Sequence, residues 1–364
     1  MSFDVAVIGG GIAGASVAYE LAARASVVLL EGEATTAFHT TGRSAAVFTE
    51  NYGSAAIRAL TIASRPFLTN PPSVFGDQPL LSPRGALWIG RDDQLGRLDA
   101  LHAAGAALVP TLERVGIDGV LALCPVLDRG YVAGGVWEPD ALDLDVHAIV
   151  TGYLRGFRSR GGTVQVSSRV VAAERATGSW RLRMAVGEDV EATVVVDAAG
   201  AWADEVARVF GARPLGFTPR RRTAFTFDAP NGVDAREWPL VVDADEGFYF
   251  KPEGVRLLGS PADEHPSPPC DARPEELDVA VALERIGAAL AVELRHATRP
   301  WAGLRTFAPD RNPVVGADPT VEGLFWLAGQ GGYGIQTAPA MATLAAQLVL
   351  DGGDPDAALA PSRF

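Results

Sequence analysis

Val7–Ser16 reads VIGGGIAGAS, and its glycines decide the fold. Gly9, Gly11 and Gly14 fill the spacing G-x-G-x-x-G between a short β-branched run, Asp4–Ile8, and an alanine-rich helical stretch, Ile12–Ala23. In that setting the first glycine permits a tight turn, the second lets a pyrophosphate approach the backbone, and the third lets helix and strand pack closely. The phosphates then sit at the helix N-terminus, among unpaired N–H groups and the positive end of the dipole. A second apolar run, Val27–Leu30, completes strand, helix, strand. Glu31 follows it, about 20 residues beyond Gly11, where a carboxylate can accept both ribose hydroxyls. The glycine spacing alone also fits an ordinary tight turn in a glycine-rich chain; strand, helix, strand and acid together favour a dinucleotide. An acid at this place rather than an arginine disfavours a 2′-phosphate and leaves NAD or FAD.

Working outward, Asp145–Arg158 reads as an amphipathic helix, Thr163–Ser167 and Trp180–Ala185 as strands, and Val194–Asp197 as a buried strand running into Ala198–Trp202, AAGAW. Pro79–Gly90 reads as an extended hairpin arm. Arg222–Phe227, Val241–Asp243, Gly247–Lys251 and Val255–Gly259 read as sheet strands, and Glu275–Val292 as a helix. The chain then returns to a strand at Leu324–Ala328, a glycine loop, and a last alanine-rich helix to about Leu350. The expectation is an α/β protein, α+β overall: a Rossmann-like nucleotide domain with a mixed β-sheet substrate domain inserted in pieces. The nucleotide domain is expected at 1–82, 145–216 and 309–364, the substrate domain at 83–144 and 217–308.

Composition narrows the function. The chain has 364 residues and a net charge of −13, and Lys251 is its only lysine, so a phosphate-tracking nucleic-acid partner is disfavoured. The start, MSFDVAVIGG, lacks the pattern of a signal peptide, which places the protein in the cytoplasm, and no apolar run is long enough to predict a membrane span. Cys124 and Cys270 fit no metal or redox spacing and read as buried free thiols. The five histidines are scattered, so a metal site is not expected.

Three small-residue loops lie far apart: Thr40–Ala46 (TTGRSAA), Ala198–Trp202 and Gly329–Thr337 (GQGGYGIQT). Such loops suit a long cofactor contacted by backbone at several stations, and FAD has that length. Reduced flavin gains negative charge near its pyrimidine edge, and a helix opening at about Ile335 sets a positive dipole end there. Pro339 suits that helix only in its first turn. A glycine turn or C-cap is the plainer reading of the same loop.

With these loops the chain resembles the D-amino acid oxidase family of flavoproteins over essentially its whole length. Within it, the chain is most similar to bacterial FAD-dependent D-arginine dehydrogenase and glycine-oxidase-like enzymes. The segments carrying the resemblance are HTTGRSAA, PLLSPR, PRRRTAF, FYFKP, LLGSPA, RPWAGLRTF and QGGYGIQT, in that order. The resemblance implies non-covalent FAD held by Gly9, Gly11, Ile12, Ala13 and Gly14; Glu31 and Gly32; Thr40, Thr41, Gly42, Arg43, Ser44, Ala45 and Ala46; Val170; Ala199, Gly200 and Trp202; and Gly331, Gly332, Tyr333, Gly334, Ile335, Gln336 and Thr337. The family's attachment cysteine lies in the C-terminal part, and nothing after Cys270 could serve.

An α-amino acid presents a carboxylate that a guanidinium fork matches with two parallel hydrogen bonds. Arg222 and Arg305 stand in otherwise apolar strand sequences. The resemblance makes both of them the carboxylate clamp, adds the phenol of Tyr249, gives the Gly332 carbonyl to the substrate amine, and puts Tyr52 on a mobile lid. A surface tyrosine is the plainer reading of Tyr52. No side chain is obviously required as a base: hydride leaves Cα for the flavin, and the imine hydrolyses to a 2-oxo acid and ammonia.

The resemblance places the side-chain pocket at Val47, Thr49, Glu50, Ala86 and Gln336. In the D-arginine enzyme a glutamate and a histidine stand where this chain has Ala86 and Val47. A buried cation without a carboxylate partner costs several kcal/mol, so a neutral or hydrophobic side chain is expected, with Glu50 solvated. Sarcosine-oxidase-like relatives place a lysine over the flavin in the region after RLLGSPADE, which has none here; that favours a dehydrogenase passing electrons to a quinone or other carrier over one using O2. A glycine- or sarcosine-type oxidase making hydrogen peroxide, and a non-catalytic FAD-binding redox module, are the alternatives.

Overall fold

The computed structural model describes residues 1–230 and 233–364. Ser2–Ile8 pairs in parallel with Val27–Leu30 on one side and Val190–Asp197 on the other. Thr163–Gln165 lies outside Val27–Leu30, and Leu324–Ala328 pairs along the second half of Val190–Asp197, both also parallel. Strands covered on both faces need apolar side chains pointing both ways, and Val5–Ile8 and Val27–Leu30 are buried at every residue. On one face the helices Ile12–Leu21, Val146–Ser159 and Gly334–Asp351 bring Val17, Leu21, Tyr153 and Ala345 into a core with Val7 and Leu29. On the other face Ala203 and Ala207 of the Ala203–Val209 helix pack with Ala6, Ile8 and Val195. The hairpin Val170–Ala176 with Ser179–Met184, together with Val314–Ala317, brings this sheet to eight strands.

The glycine turn is a steric necessity. Gly9 has φ +105°, and a Cβ at Gly14 would stand 1.8 Å from the Gly9 carbonyl oxygen. No rotamer relieves a clash with backbone.

The second large sheet has nine strands, and its longest pairing sets Thr218–Phe227 antiparallel to Thr298–Phe307. Beyond Thr218–Phe227 it continues through Arg256–Ser260, Tyr249–Glu253, Leu240–Asp243, Ala86–Gly90 and Gly134–Glu138. Helix Glu276–Leu290 covers one face, with Ala282 and Ile286 against Phe225, Phe227 and Phe250. A three-stranded sheet sets Val47–Phe48 and Leu81–Pro83 on either side of Leu142–Leu144, both antiparallel to it.

Three sequence expectations are corrected. Pro79–Gly90 is not a hairpin arm: Leu81–Pro83 pairs with Leu142–Leu144, whereas Ala86–Gly90 pairs with Leu240–Asp243 and Gly134–Glu138. The chain turns at Gly85, φ +72°, because its two halves serve different sheets. Cys124 is buried, and burial pushes its thiol up to about 12, but Cys270 is only half-buried. The last helix begins at Gly334, so Pro339 lies just past its first turn; Pro339 has no N–H to give the ladder, and next to it the Ala340 N–H donates to Ser64 Oγ at 3.1 Å.

Candidate active site

The first cavity opens over the glycine turn. It is lined by Gly9, Gly10, Gly11, Glu31, Gly32, Thr40 and Thr41, with Val170, Ala199, Gly200 and Trp202 opposite. Glu31 is held in place by backbone: the Gly10 N–H donates to one carboxylate oxygen and the Glu33 N–H to the other, each at 2.8 Å. Each oxygen keeps lone pairs for further donors. Gly11 caps the following helix without a side chain, and the Ile12 N–H donates to Thr41 Oγ1 at 3.0 Å. Of the sequence candidates, Ile12, Ala13, Gly14, Gly42 and Arg43 do not line this cavity. Arg43 is turned away from it: its guanidinium donates to the Ala272 and Ala302 carbonyls and pairs with Asp271, which ties the loop to the Thr298–Phe307 strand.

Sequence reading did not single out Gly10, His39 or Arg169 for this cavity. His39 sits 4.6 Å, ring to ring, from Trp202, and its Nε2 lies 3.1 Å from Glu33. Its buried Nδ1 has no partner among the described residues. A histidine beside a TTG loop was the available signal, but its neighbour Trp202 arrives from a distant element.

The second cavity is lined by Ser44, Ala45, Ala46, Val47, Thr49, Tyr52, Arg222, Tyr249, Arg305, Gly332 and Gln336, with Trp88, Leu240, Val242, Glu246 and Ala262 completing it. Thr40–Val47 therefore joins the two cavities, with Thr40 and Thr41 in the first and Ser44–Val47 in the second. That continuity fits a cofactor lying extended from Glu31 towards Gly332. Gly331, Tyr333, Gly334, Ile335 and Thr337 line neither cavity, though the Tyr333 ring packs against Tyr52 at a tilt of 56°, ring centres 4.9 Å apart.

Strand register brings the arginines together. Arg220 stands opposite Arg305 and Arg222 opposite Gly303, so alternation puts Arg222 and Arg305 on one face, diagonal to each other. Arg221, between them, turns the other way to Asp278 and Glu275 at the covering helix. Arg222 is buried; its Nη2 lies 3.2 Å from Glu264, and its Nε has no partner among the described residues. Burial, and then the Arg305 charge, pull the Arg222 guanidinium below its ordinary value. Arg305 makes no hydrogen bond or ion pair among the described residues, and it lies so close over Gly332 that a Cβ there would meet Nη1 at 2.9 Å. Arg305 is half-buried, and a guanidinium held there without an anion can accept a small carboxylate.

Glu50 is corrected: it is not solvated. Its side chain is 14% exposed and pairs with Arg65 at 2.7 Å, and it does not line the pocket. Arg65 comes from the Ala55–Thr69 helix and lies 4.7 Å above the Phe48 ring, which draws Glu50 inward. Ala86 is buried in its strand and also off the pocket wall; Trp88, two residues on, lines it instead. Gln336 is engaged with the loop, accepting from the Thr49 N–H at 3.3 Å and donating to Thr61 Oγ1 at 2.9 Å. Beneath that loop the buried Glu138 accepts from Thr49 Oγ1 at 2.8 Å and the Glu50 N–H at 3.1 Å. Burial pushes Glu138 up to about 7. The single lysine, Lys251, is paired with Asp143 at 2.8 Å and lines neither cavity.

Comparisons with known proteins agree with this geometry. A family model described as DAO, FAD dependent oxidoreductase, matches residues 4–348. Glycine oxidase from Pseudomonas putida is 29% identical over 379 residues, which cover 98% of this chain and 96% of that protein. FAD-dependent oxidoreductase domain-containing protein 1 of Xenopus laevis is 33% identical over 186 residues, 46% of this chain, and the match spans only 36% of its length. The crystal structure of glycine oxidase from Geobacillus kaustophilus superposes with a TM-score of 0.88 at 22% identity, covering 100% of this chain and 99% of that one, a likeness of fold.

Proposed function

The chain belongs to the DAO family of FAD-dependent oxidoreductases, and from that premise we propose that it oxidises a small D-amino acid with a neutral or apolar side chain. One observation carries the reading: Arg305, diagonal to Arg222 on the same face of the sheet, faces the pocket without an anion of its own among the described residues. FAD, bound along the two cavities, supplies the acceptor for the hydride that leaves the substrate Cα. The chain's own residues hold the substrate for that transfer. Arg222 and Arg305 grip the α-carboxylate, and the Tyr249 hydroxyl donates to it. The Gly332 carbonyl accepts from the amine and fixes the direction of the Cα–H bond, so orientation accounts for much of the rate. Tyr52 covers the pocket, and Trp88, Leu240 and Val242 give it an apolar wall that keeps water from the reacting atoms. When the substrate binds with its amine neutral, its ammonium proton having gone to solvent, loss of hydride leaves an iminium, which takes up water and releases a 2-oxo acid and ammonium.

The apolar wall supports a neutral side chain, and Glu50, paired with Arg65, lies off the pocket; Glu246 does line it and is the carboxylate a cationic side chain would need, so D-Arg is the decisive control. Lys251 is paired with Asp143, and this favours a dehydrogenase using a quinone or another carrier. A glycine-type oxidase is the second reading, favoured by the full-length match to glycine oxidase. Anaerobic mixing with D-Leu, D-Phe, D-Met, D-Arg, their L-forms and glycine tests both. Bleaching of the yellow cofactor is expected fastest with the apolar D-forms, with little hydrogen peroxide on admitting air. D-Arg as best substrate would overturn the side-chain reading, and stoichiometric peroxide the choice of acceptor.

A further inference from the structure

We infer that Glu264 is a specificity-determining residue: as the carboxylate paired with the clamp, it leaves the pocket with unbalanced positive charge for one substrate carboxylate and disfavours a second. The inference rests on the carboxylate-clamp reading above.

Glu264 follows the strand Arg256–Ser260 and reaches the back of the clamp. Its Oε1 lies 3.2 Å from Arg222 Nη2, while Arg311 Nη2 donates to Oε1 and Oε2 at 2.9 and 3.0 Å. Arg311 is in turn braced 4.0 Å above the Phe307 ring. Burial works against the charged carboxylate, but the Arg311 hydrogen bond and charge, with those of Arg222 and Arg305, hold Glu264 below its usual range. It is therefore an anion at neutral pH. The two guanidiniums facing the pocket carry two positive charges, and Glu264 offsets one. Arg311, half exposed, shares Glu264, and Glu246 also lines the pocket, so three guanidiniums stand against two carboxylates. What remains matches a single α-carboxylate. A second carboxylate, on the substrate side chain, finds no free cation and meets Glu246, which lines the same pocket. Like charges brought together in a partly dehydrated site oppose binding strongly.

Isosteric substrates isolate the charge. D-Glutamine and D-glutamate differ by an amide and a carboxylate, so the ratio of their anaerobic cofactor-reduction efficiencies reads charge selectivity and cancels any general loss of structure. The wild type is expected to prefer D-glutamine. Glu264→Gln keeps an acceptor oxygen for Arg222 and Arg311 but removes the charge, and is expected to shift the ratio towards D-glutamate by about tenfold. Glu264→Asp, which restores the charge, is expected to return it towards wild type. If Glu264→Gln yields no yellow protein, Glu264→Ala carries the same expectation. A wild type that prefers D-glutamate, or a ratio unmoved in the charge-removing variants, overturns the inference while the clamp stands. If no neutral amino acid bleaches the wild type, the clamp reading itself falls, and this inference with it.

Discussion

At Gly9 and Gly14 the glycine turn packs backbone against backbone, with no side chain to give way, whereas around Arg305 the cavity wall is side chains that strand register gathers from distant parts of the sequence. The first kind of site tolerates no added atom. The second tolerates added atoms but depends on charge, because its arginines are held by position in the sheet and by few partners of their own. The two regions should therefore fail in different ways, the first by losing its cofactor and the second by losing its substrate.

The largest effect belongs to Gly14→Ala. Its Cβ would stand 1.8 Å from the Gly9 carbonyl oxygen, so strand and helix must separate at the point where the turn is formed. Overpacking against backbone costs several kcal/mol. The variant is expected to purify without yellow colour and to melt well below the wild type, as absorbance and calorimetry would record. A yellow, equally stable Gly14→Ala protein would remove the contrast between the two cavities.

Arg305→Leu should act on the other side of it. The cofactor should stay bound, since Arg305 lines only the second cavity. Losing one arm of a buried carboxylate grip costs roughly 3–4 kcal/mol, or about 10²–10³-fold in reduction efficiency. Because Arg305 has no anion to leave stranded among the described residues, stability should hold or rise slightly. Stopped-flow reduction of the yellow variant by a D-amino acid measures the first expectation and thermal melting the second. A variant that loses the cofactor would mean that the arginine supports the fold rather than the substrate.

The same contrast explains what was legible in the sequence. The glycine turn, the Val27–Leu30 strand and Glu31 lie within one local pattern, so their order along the chain already states their geometry. Arg222 and Arg305 stood out only as charges in apolar strand sequences; that they meet depends on Arg220 standing opposite Arg305, and no local pattern encodes that register. Glu50 shows the failure most plainly. Flanked by Thr49 and Asn51 it reads as solvated, and it is drawn inward only because Arg65 arrives from a helix, Ala55–Thr69, whose Pro66 interrupts the helical pattern. Glu264 and Trp88 escaped notice for the same reason: their partners come from other strands.

Glu138 lies behind the second cavity, beneath the loop from Val47 to Tyr52, and there the expected effect is smallest. Its carboxylate accepts from Thr49 Oγ1 and the Glu50 N–H, yet burial pushes it up to about 7, which shows that dehydration outweighs these bonds. A carboxyl whose value in the folded chain lies above its unfolded one stabilises the fold as the neutral acid. That contribution is complete below the unfolded value of 4.5 and is lost as pH rises through about 7. On the order of 2 kcal/mol should therefore disappear across that window, less whatever the loop recovers by admitting water. Burial also raises Asp197 and Glu20, so the absolute curve mixes several groups. The difference between wild type and Glu138→Gln isolates one, because the amide does not titrate. Denaturant unfolding at a series of pH values should show the wild type losing stability relative to the variant between pH 4.5 and about 7, and parallel curves would mean that Glu138 is ionised in the folded chain throughout. If the loop also holds Tyr52 over the substrate, substrate affinity should weaken through the same window in the wild type and stay level in the variant.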